Sequence, residues 1–238
     1  LFVAGFPLAV TPGKIGEGLK GLWLNQKSGT SVGRGVSVVT AERISDGFAV
    51  LILSIIGVLA YPEYWPAFAI VFSVLLVIVI ISQIRPLALG LINYMDYIPL
   101  VKRFTVSITQ FYEGSFTLFR PRATLAAVSL GTISWFAEGI GFFVILLGLG
   151  LNPDRNTFAM AVFILSFSTI IGAISALPGG LGAAEVSIAG MLVLLLGVNR
   201  DTATTATLLI RLATLWFGVA LGLVVWTRSR DLLGMENG

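Results

Sequence analysis

Predominantly apolar stretches as long as a bilayer is thick constrain this chain more than any other feature. Runs at 36–60, 66–84, 123–149, 157–177 and 203–227 each reach the ~18 residues that mark a membrane-spanning helix, and a shorter run lies at 183–197. In hydrocarbon every backbone N–H and C=O must be satisfied within the segment, so such runs are expected to be helices. Only 11% of residues are charged and mean hydropathy is +0.96, whereas a soluble domain carries roughly 25% charged residues. The expected fold class is all-α: a polytopic transmembrane helix bundle in the cell membrane, with residues 1–238 forming one membrane domain. Residues 1–11 read as the end of a further span. The chain opens on Leu1 inside an apolar run, without Met or a basic leader, and so reads as a fragment lacking N-terminal segments.

Basic residues set the expected orientation. Lys14, Lys20, Lys27 and Arg34 fall in 12–35, and Arg85, Lys102, Arg103, Arg120 and Arg122 fall in 85–122. Arg228 and Arg230 lie in the tail. These segments are expected on the cytoplasmic side, with 61–65, 151–156 and the turn at Asn199 outside. Residues 87–120 differ from the spans: Phe104, Ile108, Phe111, Tyr112 and Phe119 recur at helical spacing among polar residues, and Pro99 interrupts them. Two amphipathic helices at the cytoplasmic face are expected there, with a plain connector as the alternative.

Two segments repeat a pattern. Pro12-Gly13-Lys14-Ile15-Gly16-Glu17 resembles Pro178-Gly179-Gly180-Leu181-Gly182-Ala183-Ala184-Glu185. Each Glu precedes a short apolar helix, a turn, and a longer helix bearing Arg43 or Arg211, 26 residues after its Glu. The basic turn after the first copy and the outer turn after the second imply opposite orientations. The repeat units are expected at about 12–60 and 178–227. Inverted repeats broken at Pro/Gly are a transporter signature, with the substrate site between the halves near the midplane. Chance similarity among Gly-rich membrane segments is the alternative.

Charges inside the spans sharpen this expectation. Arg211 lies roughly 15 Å and Glu185 roughly 20 Å from their shared turn, at 1.5 Å per residue, so the two are expected to pair. Glu17 and Arg43, each roughly 12 Å from their own turn, are expected to pair likewise. Ionisable residues at such depth are functional candidates by default. The substrate-binding candidates are therefore Lys14, Glu17, Arg43, Asp46, Glu138, Pro178, Gly179, Gly180, Glu185 and Arg211. Static helix clamps remain an open reading for the Glu–Arg pairs. A local ion pair remains one for Arg43 with Asp46, and Lys14 and Lys20 are read either as lipid-headgroup contacts or as markers of the cytoplasmic side. Glu138 has no obvious sequence-local partner.

Several chemistries are excluded. Cys and His are both absent, which removes disulfides, Cys/His zinc sites, Cys nucleophiles and Ser-His-Asp triads. The phosphate-cradling pattern Gly-x-x-x-x-Gly-Lys-[Ser/Thr] is missing. No cofactor, metal or nucleic-acid partner is expected.

Four motifs carry a family resemblance: Pro12-Gly13-Lys14-Ile15-Gly16-Glu17, Glu42-Arg43-Ile44-Ser45-Asp46, Leu177-Pro178-Gly179-Gly180-Leu181-Gly182-Ala183-Ala184-Glu185 and Ile210-Arg211-Leu212. In that order they resemble the flippase-like membrane region of lysylphosphatidylglycerol synthases and related stand-alone bacterial and archaeal membrane proteins. The resemblance covers nearly the whole chain. It implies a helical membrane fold with re-entrant segments that moves lipid between leaflets. The lipid would be of the aminoacylated phosphatidylglycerol type or polyprenyl-linked. Membrane lipids are the implied partners, with a lipid-modifying enzyme or glycosyltransferase alongside, and a homo-oligomer is compatible with it. The chain as given lacks the family's first membrane segments and the soluble aminoacyl-transferase domain, so no enzymatic activity is expected. An ion or small-solute transporter, a lipid-phosphate enzyme and an accessory partner of a glycosyltransferase are the alternatives.

Overall fold

A computed structural model describes residues 2–11, 16–60, 65–95 and 105–228. Among them helix is the only regular structure. The α-helices are α1 (Leu19–Ser28), α2 (Val32–Ala60), α3 (Trp65–Gln83), α4 (Arg85–Met95), α5 (Thr105–Leu118), α6 (Pro121–Gly148), α7 (Arg155–Ile174), α8 (Ala183–Leu196) and α9 (Arg200–Arg228). A helix occupies each of the six segments read as spans, with ends within four residues of those read from hydropathy. Among the described residues α6, α7, the stretch Pro178–Leu196 and α9 are long and apolar enough to cross a membrane. The fold class is an all-α membrane helix bundle. Lys14 and Pro99 lie outside the described residues.

Local chemistry sets the helix ends. Asp154 accepts the Thr157 backbone N–H at 2.7 Å and starts α7, and Asn199 accepts that of Thr202 at 2.8 Å and starts α9. Side-chain oxygens at this position satisfy donors that the first helical turn leaves free. Pro121 occupies the first turn of α6, where its missing N–H costs nothing. Asp154 is held below the usual carboxylate range, chiefly by the Thr157 hydrogen bonds.

Residues 1–11 were expected to end a span, but Val3–Val10 forms a 3-10 segment instead. Pro7 sits within it, where an α-helix would lack one backbone hydrogen bond. The segment lies along α9: Pro7 packs directly on Gly222, and Trp226 Nε1 donates to the Ala4 carbonyl at 2.7 Å.

Two helices organise the bundle. α2 packs against α1, α3, α5, α6 and α7, and α7 packs against α2, α6 and α8. The largest core joins Phe142 and Leu146 of α6, Phe163 and Ile164 of α7, Ile188 and Leu192 of α8, and Ile210 of α9. Small residues permit the closest crossings, as in membrane helix pairs generally. A Cβ on Gly35 would stand 2.5 Å from the Gly21 Cα, so α1 and α2 meet backbone to backbone. α5, within the expected amphipathic segment, buries Tyr112 and Ser115 and packs along α2, so it is part of the bundle and not a loose connector.

Candidate functional site

α2 and α9 are each 29 residues long. Arg43 stands eleven residues after Val32 and Arg211 eleven after Arg200. Each Arg meets the Glu that lies 26 residues before it, at the start of the preceding short helix. The two pairs are therefore built alike.

In the second pair, Arg211 Nε donates to Glu185 Oε1 at 2.5 Å and Nη2 donates to the Gly179 carbonyl at 2.7 Å. The other Glu185 oxygen accepts the Gly182 backbone N–H at 2.6 Å, capping α8. Gly179, Gly180 and Gly182 have φ of 60°, 67° and 84°, left-handed values that favour glycine. A Cβ on Gly180 would stand 3.0 Å from the Gly172 Cα of α7. The Pro178–Gly180 turn is thus pressed onto α7 and aims the Gly179 carbonyl at Arg211. Arg211 is roughly 16 Å from the start of α9 and further still from its end, so the pair is remote from either end of the helix. α9 then takes a π turn at Leu212–Trp216, a distortion frequent at functional sites. Nothing in the sequence announces that turn.

The pair is not sealed. Its side chains are 14% and 23% exposed. They open onto a hollow of about 430 Å³ whose other walls are Leu181, Leu208, Leu209, Leu212 and Trp216. Arg211 Nη1 has no hydrogen-bond partner among the described residues.

The first centre is crowded with carboxylates. Arg43 approaches Glu17 at 3.2 Å, Glu42 at 3.1 Å and Asp46 at 3.3 Å. Glu17 is only 3% exposed, and its 3.2 Å approach to Arg43 Nε is an ion pair without hydrogen-bond alignment. Lys20 joins through Glu42 at 3.4 Å and covers the Phe2 ring. Lys20, read as a headgroup contact or a marker of the cytoplasmic side, is instead folded into the protein. Glu138 of α6 lies within electrostatic reach of Asp46. Lys20 and Glu42 were missed as members of this network. The signals available were the three-residue step from Glu17 to Lys20, which puts both on one helical face, and the place of Glu42 beside Arg43.

The 3-10 segment that leads to the first Pro-Gly stretch contacts the second: the Val10 backbone lies 3.7 Å from where a Gly179 Cβ would be. Pro178, Gly179, Gly180, Glu185 and Arg211 form one cluster. Glu17, Arg43 and Asp46 form another, with Glu138 at its edge.

These features define a multi-helix membrane protein with paired ionic centres inside its long helices. The family described as "Lysylphosphatidylglycerol synthase TM region" matches residues 1–222, and the chain belongs to it. It is similar to a UPF0104 membrane protein of Methanocaldococcus jannaschii, 26% identical over 92% of each chain. A UPF0104 membrane protein of Pyrococcus horikoshii is 32% identical over 53% of this chain and 37% of its own length. One of Methanothermobacter thermautotrophicus is 30% identical over 48% of this chain and 32% of its own. In these last two the match spans about a third of the relative. No solved structure matches.

Proposed function

We propose that the protein moves a phospholipid of the aminoacylated phosphatidylglycerol type, or a polyprenyl-linked lipid, between membrane leaflets. The observation that carries this is the Glu185–Arg211 pair, an ionic centre deep in a helix bundle that opens sideways onto an apolar hollow. A lipid needs such an opening, because its tails stay in hydrocarbon while its headgroup crosses. Arg211 Nη1 is a spare donor for phosphate oxygen, and charge-assisted hydrogen bonds of that kind are the strong ones. Among the described residues the carboxylates of Glu17, Glu42 and Asp46 around Arg43 outnumber the cations Arg43 and Lys20. Such a centre favours an amino group. A headgroup bearing both charges would meet both centres. The equal helix lengths, the equal Arg positions and the contact of the Val3–Val10 segment with Gly179 support the reading of two inverted repeat units with re-entrant short helices.

The test is reconstitution into vesicles carrying headgroup-labelled phosphatidylglycerol, with loss of outer-leaflet signal on adding a membrane-impermeant quencher. Wild type should exchange lipid between leaflets, whereas Arg211→Ala and Glu185→Ala, checked for folding by size exclusion, should slow it by about tenfold or more. Equal rates in all three would remove Arg211 and Glu185 from the site. No exchange by wild type, together with proton-coupled uptake of a small solute, would favour the solute-transporter reading.

A further inference from the structure

The hollow beside Arg211 does not end there. Along the same α8–α9 seam a second open-sided hollow of about 420 Å³ is walled by Val186 and Leu194 of α8 and by Arg200 and Thr204 of α9, with Gly190 as its floor. Arg200, Thr204, Leu208 and Arg211 follow one another along α9 at steps of four, four and three residues and so keep to one side of it. The two hollows therefore lie on one face of one helix pair. Each has the volume of a small-molecule site. Arg200 and Arg211 stand at their far ends, roughly 16 Å apart along the helix.

A lipid-facing surface is apolar in any membrane protein, and apolarity alone says nothing. Two further features separate this face from its surroundings. It is concave: Val186 and Leu194 are 74% and 80% exposed as standing walls, while a Cβ on Gly190 would meet nothing within 4 Å. It also carries a fixed cation at its rim. Arg200 is exposed and makes no ion pair among the described residues. An apolar trough ending at an unpaired guanidinium complements a molecule with a long hydrocarbon tail and an anionic head.

We infer that the α8–α9 seam is a binding groove for one anionic phospholipid, with an acyl chain over Gly190 between Val186 and Leu194 and the phosphate at Arg200. The inference rests on the transport reading only in its consequence: the groove is then the waiting position from which a headgroup passes to Arg211. Occupancy itself requires no transport.

The experiment uses the purified chain in phosphatidylcholine vesicles containing phosphatidylglycerol with a photoactivatable group in one acyl chain. Cross-linked peptides are mapped, and leaflet exchange is measured on the same vesicles. Labelling should concentrate on α8 and α9. It should fall about tenfold in Gly190→Phe, which fills the trough, and in Arg200→Gln, and excess unlabelled phosphatidylglycerol should compete it away. Gly141→Phe on α6, another position where a Cβ meets nothing, is the control and should leave labelling unchanged. Labelling spread evenly over the lipid-facing helices, or unchanged in Gly190→Phe, overturns the groove. Loss in Gly190→Phe but not in Arg200→Gln overturns the assignment of the phosphate. Groove labelling without leaflet exchange in wild type sinks the transport reading and leaves the groove standing.

Discussion

Removing Arg211 should cost stability as well as transport, and the size of the cost tests whether the Glu185–Arg211 pair is as buried as its geometry shows. Arg211 makes two contacts, one to the Glu185 carboxylate and one to the Gly179 carbonyl. Breaking a buried ion pair by deleting one partner costs about 3–5 kcal/mol, because the other charge is left uncompensated. Glu185 would keep the Gly182 N–H on its second oxygen, so Arg211→Ala should fall at the lower end, about 3 kcal/mol. Glu185→Ala should cost more, about 4 kcal/mol, since it strands the guanidinium and also removes the α8 cap, worth about 1 kcal/mol. The double variant strands neither charge. Its loss should be smaller than the sum of the single losses by about 2–3 kcal/mol, the upper range for residues in direct contact. Equilibrium unfolding in mixed micelles, titrated with SDS and followed by tryptophan fluorescence, reads all four corners of the cycle. A coupling below about 0.5 kcal/mol, the scale of an exposed pair, would refute the burial of this centre.

Three further outcomes are expected. Gly35→Leu drives a side chain into the Gly21 backbone and should destabilise by about 1–3 kcal/mol or more, read in the same unfolding assay. Trp226→Phe removes the hydrogen bond to the Ala4 carbonyl; it should cost about 1 kcal/mol and raise the proteolysis rate within Val3–Val10. Asp154 has a lowered folded-state pKa from its Thr157 contacts. Its stabilising contribution is therefore complete above the unfolded value near 3.9 and is lost as pH falls through the lower folded value. Thermal melts across that acid range should converge for wild type and Asp154→Ala.

The spans were legible because a bilayer imposes one length and one polarity on every crossing. The Glu–Arg partners were legible from their spacing, since residues at similar distances from a shared turn on antiparallel helices fall at similar depths. Other features depend on tertiary packing, which hydropathy does not carry. The π turn after Arg211 follows from how α9 seats against its neighbours, and hydropathy does not register it. Lys20 carries an ammonium that sequence reading assigns to the membrane surface. In the fold its stem lies over Gly5 and its charge meets Glu42, because glycine leaves room for it.

The two centres share a framework but not a chemistry. All three guanidinium nitrogens of Arg43 face carboxylates, so that arginine has little left to offer an anion. Arg211 faces one carboxylate and one carbonyl, and keeps a nitrogen for something else. A duplicated clamp retained only for stability would have no reason to leave its second copy under-paired beside a hollow, since an unsatisfied guanidinium at membrane depth is costly. On the proposed transport reading, this asymmetry gives Arg211 the anion contact and the carboxylates around Arg43 the cation contact. Single replacements should therefore diverge. Asp46→Asn should weaken recognition of an amino-bearing headgroup more than of a simple phosphatidylglycerol, and Arg211→Ala should weaken both. Competition by the two lipids for leaflet exchange measures this directly, and equal losses for both lipids in Asp46→Asn would remove the division of labour.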